Sequence, residues 1–412
     1  MRVDDEVLYV LVDTPGFQRA RRALEWMRQH ETTAAKHAEV VRRFVAEHRG
    51  TGQFTDEVEL LGPITQGAGI LYVVDGSKPY GPEYEAEMEV LRWTGQPSMA
   101  LINPIGRADH VEEWEAALSQ YFRVVRVFNA VTAEFAKRLE LLRAFAQLRE
   151  AWRTPLERAV SVLAEDRTRR RARAAALVAD LLVDVLTLDV RKTIAVDDDP
   201  TRHRAELEAG YRDRLRALER AERDAVQEVY DHFKLDRHEE DAALLAAGLD
   251  DDLFSEQAWK VFGLSRRDFL AMGAAGGATA GVALDIAAGG LTLGAATALG
   301  ALGGVVGGVM GFVSAQKLAQ VRVFEVSAGR KELRFGPSRN PNLPFVTLGR
   351  ARLHHALVAG RTHAQRGELR VAGEELRLSD EQRRGLQRAF APAQKRPDDA
   401  ALAAAARRDL AA

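Results

Sequence analysis

Near the start of the chain, residues able to bind a ligand follow a short apolar run. The run Val7–Val12 ends in Asp13-Thr14-Pro15-Gly16, and an apolar run closed by Pro-Gly predicts a buried strand that leads into a loop. Loops at the carboxyl ends of strands hold the ligands of α/β sheets. The Asp13 carboxylate suits a magnesium ion or its bound water, and Gly16 lets a backbone N–H approach a phosphate oxygen.

The first third of the chain alternates strand-like with helix-like runs. This alternation predicts an α/β fold, a mostly parallel sheet with helices on both faces. The strand-like runs are 7–12, 70–75, 98–103 and 122–128, and the helix-like runs are 19–29, 34–48, 83–93, 110–120 and 133–147. Asp75 ends the second strand-like run and Asn103 ends the third.

Residues 1–148 resemble the partial nucleotide-binding domain of an Era/EngA-like GTPase of the translation-factor class. Asp13-x-x-Gly16 is similar to the switch-II motif of that family, and Asn103 stands where the guanine-reading Asn-Lys-x-Asp begins. The layout also resembles bacterial GTPases that carry a C-terminal domain of unknown function with a Gly/Ala-rich apolar segment. The resemblance implies GTP and magnesium as cofactors, with magnesium held by Asp13 through water. It implies nucleotide contacts from Asp13, Thr14, Pro15, Gly16 and Asn103.

The chain departs from this family at two motifs. The P-loop, Gly-x-x-x-x-Gly-Lys-Ser/Thr, is absent, since residues 62–67 resemble it in part but continue with Ala68. The guanine motif reads Asn103-Pro104-Ile105-Gly106, without its Lys and Asp. We therefore expect an N-terminally incomplete nucleotide site with no catalytic residue and weak or absent binding by this chain alone. GTP hydrolysis is expected only if a P-loop is supplied upstream.

Length and composition suit two or three domains. The chain has 412 residues, with 58 Lys+Arg against 60 Asp+Glu, so no basic excess argues for nucleic acid or a ribosome as partner. The absence of cysteine excludes disulfides and thiol chemistry. The predicted divisions are a partial GTPase-like domain (1–148), an α-helical domain (149–262), an apolar hairpin (263–316), a small α+β module (317–390) and a tail (391–412).

The α-helical region 149–262 carries apolar residues at helical spacing, such as Leu177, Leu181 and Val185. We expect it to contact a protein partner. Five arginines between residues 167 and 173 are suited to anionic lipid or RNA, but nearby acidic residues favour a solvated helix face.

Residues 269–313 form a Gly/Ala-rich run with Asp285 as its single ionisable residue. The run exceeds the ~20 residues of one membrane span and predicts a hairpin of two helices, 269–288 and 291–313. Basic residues on both flanks favour cytoplasmic ends: Arg266, Arg267, Lys317 and Arg322. We expect a cytoplasmic protein associated with the inner membrane. The alternative is a hairpin buried in protein, because the run is poor in Leu and Phe.

The C-terminal α+β module is predicted from alternating patterns. Residues 321–326, 332–335 and 345–348 are strand-like, a helix is predicted over 350–359, and the tail is expected to contain some helix.

Three functions are consistent with these patterns. The first is a membrane-associated GTP-binding protein of the GTPase family. The alternative is a non-enzymatic scaffold, a degenerate G domain attached to the helical hairpin. A pore-forming or membrane-remodelling role for the hairpin is the least favoured.

Overall fold

A computed structural model describes most of the chain outside one long internal segment. The described residues are 1–30, 33–105, 108–130, 133, 135–230, 321–326, 329–338, 340, 342–360, 378–395 and 397–411. The predicted apolar hairpin lies outside them. They divide into two compact units, residues 1–167 and residues 168–412.

A parallel sheet of three strands, in the order β3-β4-β5, forms the centre of the first unit. Its strands are β3 (Ile70–Asp75), β4 (Ser98–Asn103) and β5 (Val124–Val127), while β1 (Arg2–Val3) pairs with β2 (Glu6–Val7) in a separate antiparallel ribbon. The helices are α1 (Ala20–Gln29), α2 (His37–His48), α3 (Thr55–Thr65), α4 (Glu83–Trp93), α5 (Val111–Leu118), α6 (Phe135–Ala146) and α7 (Glu150–Thr187), the last of which continues into the second unit.

Alternate residues of β3 and β4 face the main hydrophobic core of the first unit. Ile70, Val74 and Ile102 pack there with Phe44 and Trp114. Each such side chain contributes about 1.5–3 kcal/mol when fully buried. The apolar pattern therefore predicted β3 and β4 with their observed bounds.

The predicted strand at residues 7–12 is wrong. Strand β2 ends at Val7, residues 8–16 have no regular secondary structure, and the Val10, Leu11 and Val12 side chains are 72%, 79% and 52% exposed. A parallel strand needs a neighbour for its backbone N–H and C=O groups. Among the described strands, β3 pairs only with β4, so no ladder extends to residues 8–12.

The second unit combines an antiparallel sheet, in the order β6-β8-β7, with long helices. The strands are β6 (Val190–Ala195), β7 (Val321–Val326) and β8 (Arg330–Phe335), and the further helices are α8 (Arg204–Val229), α9 (Leu343–Gly360), α10 (Asp380–Lys395) and α11 (Ala400–Ala411). Hydrophobic side chains from α7, α8, α9, β6 and β8 share one core.

Two predictions in this unit are corrected. Strand β6 lies in the stretch predicted to be helical, where its partner β8 is more than 130 residues away in sequence. Residues 345–348, predicted as a strand, belong to α9, because Phe345 and Val346 are buried in two different clusters on two sides of that helix. In the part of the chain that the structure covers, every helix is too short or too polar to span a bilayer.

Candidate functional site

The candidate site lies at the carboxyl end of the parallel sheet, where Asp75 and Asn103 are register partners on β3 and β4. Asp75 Oδ1 accepts hydrogen bonds from Ser77 N at 3.0 Å and Ser77 Oγ at 2.6 Å. These bonds hold the pKa of Asp75 below its usual range, with Lys78 Nζ, 3.7 Å from Oδ2, contributing less. The Asp75 carboxylate thus stabilises the turn after β3.

Asn103 connects two loops at this edge. Its Oδ1 accepts a hydrogen bond from Ala130 N at 3.2 Å, in the loop after β5, and Asn129 Nδ2 donates to Pro104 O at 2.8 Å. Asn103 Nδ2 donates to none of the described residues, and the side chain is only half-buried. The amide donor is therefore placed to contact a ligand at the sheet edge.

The loop after β3 is fixed by a buried tryptophan of α5. Trp114 Nε1 donates to Lys78 O at 2.8 Å, and the ring is buried against Tyr80 and Tyr84. At Gly76, a Cβ atom would approach Ile102 Cγ2 to 2.6 Å. The close packing of this loop on β4 therefore requires glycine.

The Asp13–Gly16 loop is open to solvent. Asp13, Thr14 and Gly16 are exposed and Pro15 is half-buried. No hydrogen bond or ion pair between described residues involves the Asp13 side chain or joins this loop to Asn103. The structure thus brings Asp75, Asn103 and Asn129 together at one edge, without a bonded connection to Asp13.

Glu57 determines where this loop ends. It is 1% exposed, and its Oε1 accepts hydrogen bonds from Gln18 N at 2.9 Å and Arg19 N at 2.5 Å, at the start of α1. Backbone N–H groups at a helix start need such acceptors. A buried carboxylate of α3 thereby anchors the exposed loop to the core.

Replacing Glu57 by alanine is expected to lower the free energy of unfolding of the first unit by about 2 kcal/mol, because two backbone N–H groups lose a charged acceptor. Urea unfolding followed by tryptophan fluorescence measures the change, since Trp26, Trp93, Trp114 and Trp152 all belong to this unit. Glu57→Gln keeps an acceptor oxygen and should lose less than half as much. Equal stability of the wild type and the alanine variant would contradict this role.

Magnesium fits this arrangement only in part. In proteins it is usually held by one or two carboxylates together with waters and substrate phosphates. Asp13 supplies one exposed carboxylate. The described residues contain no group of three or more His, Asp or Glu side chains able to hold a metal. At this loop the described residues therefore offer magnesium one carboxylate ligand rather than a cage.

Sequence reasoning missed Ser77, Trp114, Asn129 and Ala130. Asn129 could have been predicted, because it directly follows the strand-like run 122–128. Asn103 likewise stands at the end of the run 98–103. Trp114 gave no signal beyond an ordinary apolar position in a helix.

The first unit is thus an α/β unit whose strand ends carry Asp75 and Asn103, followed by a second unit of mixed helix and antiparallel sheet. A family model described as "Domain of unknown function (DUF3482)" matches residues 115–412. The chain therefore belongs to the DUF3482 family, which confirms the expected C-terminal domain of unknown function. No GTPase family model matches. The comparisons with curated proteins and with solved structures gave no match.

Proposed function

We propose that the first unit binds a guanine nucleotide, with the base at the carboxyl edge of the sheet. The observation that carries this proposal is Asn103: its Oδ1 accepts a hydrogen bond from Ala130 N across two loops, while its Nδ2 has no acceptor among the described residues. An amide donor held in this way can read a base edge, because a bound base that covers this half-buried donor without offering an acceptor leaves it unpaired, which is costly. The strand-end position is also where α/β sheets bind ligands.

The phosphate side of the site would consist of Asp13 and Gly16. Asp13 would hold magnesium through water, and a Gly16 N–H would contact the γ-phosphate. Bound magnesium would neutralise charge on the phosphates. Because Asp13 is exposed and lacks a second protein ligand among the described residues, the base contact provides most of the affinity. Binding is therefore weak, and hydrolysis by this chain alone is not expected.

The nucleotide proposal predicts base-specific binding that depends on Asn103. Saturation-transfer NMR of the whole chain with GTP and magnesium should show transfer to the guanine proton, and less to adenine when ATP replaces GTP. Asn103→Ala should weaken GTP binding about tenfold, the effect of one lost hydrogen bond to a ligand.

Gln120→Ala removes a comparable amide from an exposed position after α5 and should leave binding unchanged. Equal saturation transfer to the bases of GTP and ATP would overturn the proposal. So would GTP binding by the Asn103→Ala variant that is as tight as that of the wild type.

The alternative is a non-enzymatic scaffold. Two observations favour it: the exposed apolar residues Val10, Leu11 and Val12, and the Pro104 and Gly106 that replace the Lys and specificity-determining Asp expected for the guanine motif. Absence of any nucleotide signal in the same NMR experiment would select it.

We further propose that residues 269–313 associate with the inner membrane. The support is their length and their single ionisable residue, Asp285. Membrane fractionation tests this proposal, since the protein should sediment with membranes after a carbonate wash. Recovery in the supernatant would instead favour a hairpin buried in protein.

A further inference from the structure

Three arginines form a line across the sheet of the second unit. Arg191 in β6 is the register partner of Arg334 in β8, and Arg334 is the register partner of Arg322 in β7. Paired residues of antiparallel strands project from the same face. With neighbouring strands ~4.8 Å apart, the line spans about 10 Å. The same face carries Phe324 and Arg330, so we call these five residues the arginine face.

The arginine face is the solvent-accessible side of the sheet. The opposite side carries Ile194, Leu333 and Phe335, which are buried in the core. On the arginine face, the Arg191 side chain is 48% exposed and Phe324 is 41% exposed. An external partner can therefore reach it.

The charges of this face are only partly compensated. Like charges directly opposite each other destabilise a sheet. Two carboxylates offset this repulsion. Asp189 Oδ1 lies 3.0 Å from Arg191 Nε, and Glu332 Oε1 lies 2.5 Å from Arg334 Nε.

The other two arginines have no carboxylate partner in the part of the chain that the structure covers. Arg322 Nη2 donates to Gly336 O at 2.6 Å, and Arg330 is exposed. Asp398 Oδ1, 4.0 Å from Arg191 Nη2, adds one further carboxylate near this face. The face therefore retains positive charge that an anionic partner would neutralise.

Phe324 adds an exposed apolar group to this charged face. The guanidinium of Arg334 lies 4.9 Å from its ring centroid, and that of Arg322 lies 6.0 Å away. Arginines that bind phosphate groups beside an aromatic ring suit the boundary between headgroups and acyl chains of a bilayer.

The position of β7 in the sequence favours lipid over other anions. Arg322 and Phe324 follow Val313, the end of the apolar run, by nine and eleven residues. A chain reaches at most ~3.5 Å per residue, so Arg322 lies within about 32 Å of Val313. A run that associates with a membrane would hold β7 near the lipid surface, where cytoplasmic arginines attract anionic headgroups.

We propose that the arginine face docks on an anionic lipid bilayer, its guanidinium groups on the headgroups and Phe324 at the interface. This inference rests on the proposed membrane association, because the apolar run is what brings the face to lipid.

Vesicle sedimentation of the whole chain tests the two proposals separately. Binding to phosphatidylcholine vesicles measures the contribution of the apolar run to membrane affinity. The increase in binding when a third of the lipid is phosphatidylserine measures the contribution of the arginine face. Arg322→Gln with Arg330→Gln should reduce that increase by about fivefold for each arginine, and added salt should reduce the wild-type increase as well.

Two further variants serve as controls. Arg204→Gln removes one charge from an exposed position on α8 and should leave the increase unchanged. Arg322→Lys keeps the charge and should retain binding, which separates electrostatic attraction from a local folding defect.

The outcomes are distinguishable. Binding to phosphatidylcholine without an increase on phosphatidylserine would overturn the proposal that the arginine face docks on lipid. It would leave the proposed membrane association of the apolar run in place. No binding to either vesicle would overturn both. Binding of an oligoribonucleotide that is lost in the double variant, with no phosphatidylserine increase, would assign the face to nucleic acid and overturn the lipid inference.

Discussion

Replacing Glu219 by alanine is expected to lower the free energy of unfolding of the second unit by about 3–5 kcal/mol, because it removes one member of a buried ion pair. Glu219 on α8 and Arg350 on α9 are 6% and 8% exposed, and Arg350 Nε lies 3.1 Å from Glu219 Oε1. Urea unfolding followed by far-ultraviolet circular dichroism measures the loss.

The surroundings of this pair explain the size of the expected effect. Glu222, Arg223 and His354 line the same cavity of about 20 Å³. Burial lowers the pKa of His354 to about 3, with Arg223 a smaller cause, so the ring is neutral at neutral pH. Two carboxylates therefore balance two guanidinium groups, and loss of Glu219 leaves an excess positive charge in the interior.

A double-mutant cycle distinguishes the pair from its surroundings. Glu219→Leu and Arg350→Met should each be strongly destabilising, while the double variant should lose less than the sum, because no charge of the pair remains buried. Glu208→Ala, which breaks the half-exposed pair with Arg212 on the same helix, should cost less than 1 kcal/mol. A Glu219→Ala variant as stable as Glu208→Ala would contradict the prediction.

Trp114→Ala should destabilise the first unit by about 3–5 kcal/mol, the cost of deleting a large buried aromatic side chain. The ring contacts Tyr80 and Tyr84 at centroid distances of 5.3 Å and 4.8 Å, and its Nε1 donates to Lys78 O. Thermal unfolding by circular dichroism measures this loss without relying on the tryptophan signal itself.

Trp114→Phe is the matched control, because it keeps most of the buried area and removes the N–H donor. It should lose about 1 kcal/mol for the hydrogen bond to Lys78 O. If the two variants were equally stable, packing of the Trp114 ring would not be what holds α5 against the loop after β3.

Strands β3 and β4 and helix α4 were predictable with their bounds. Strand β4 has four fully buried residues between Ser98 and Asn103, and a strand buried on both faces reads as a continuous apolar run. Parallel pairing then places Asp75 beside Asn103, at the strand ends where α/β sheets bind ligands.

Residues 7–12 and β6 show the limit of that reasoning. Val7–Val12 has the composition of a buried strand, yet the described residues give it no neighbouring strand beyond Val7. Strand β6 is less apolar, and it forms because β8 supplies its hydrogen-bonding partner. Whether an apolar segment becomes a strand depends on a partner that a local pattern does not specify.

The sequence by itself determined which segments are apolar enough to be buried, where strands end in Asp75 and Asn103, and where the longest apolar run lies. Only the tertiary structure decided that Asn103 bonds to Ala130, that Glu57 holds the start of α1, and that arginines of three strands form one line. These contacts join residues far apart in the chain. Local periodicity reports which side of an element is buried, whereas the partner on that side is selected by packing of the whole unit.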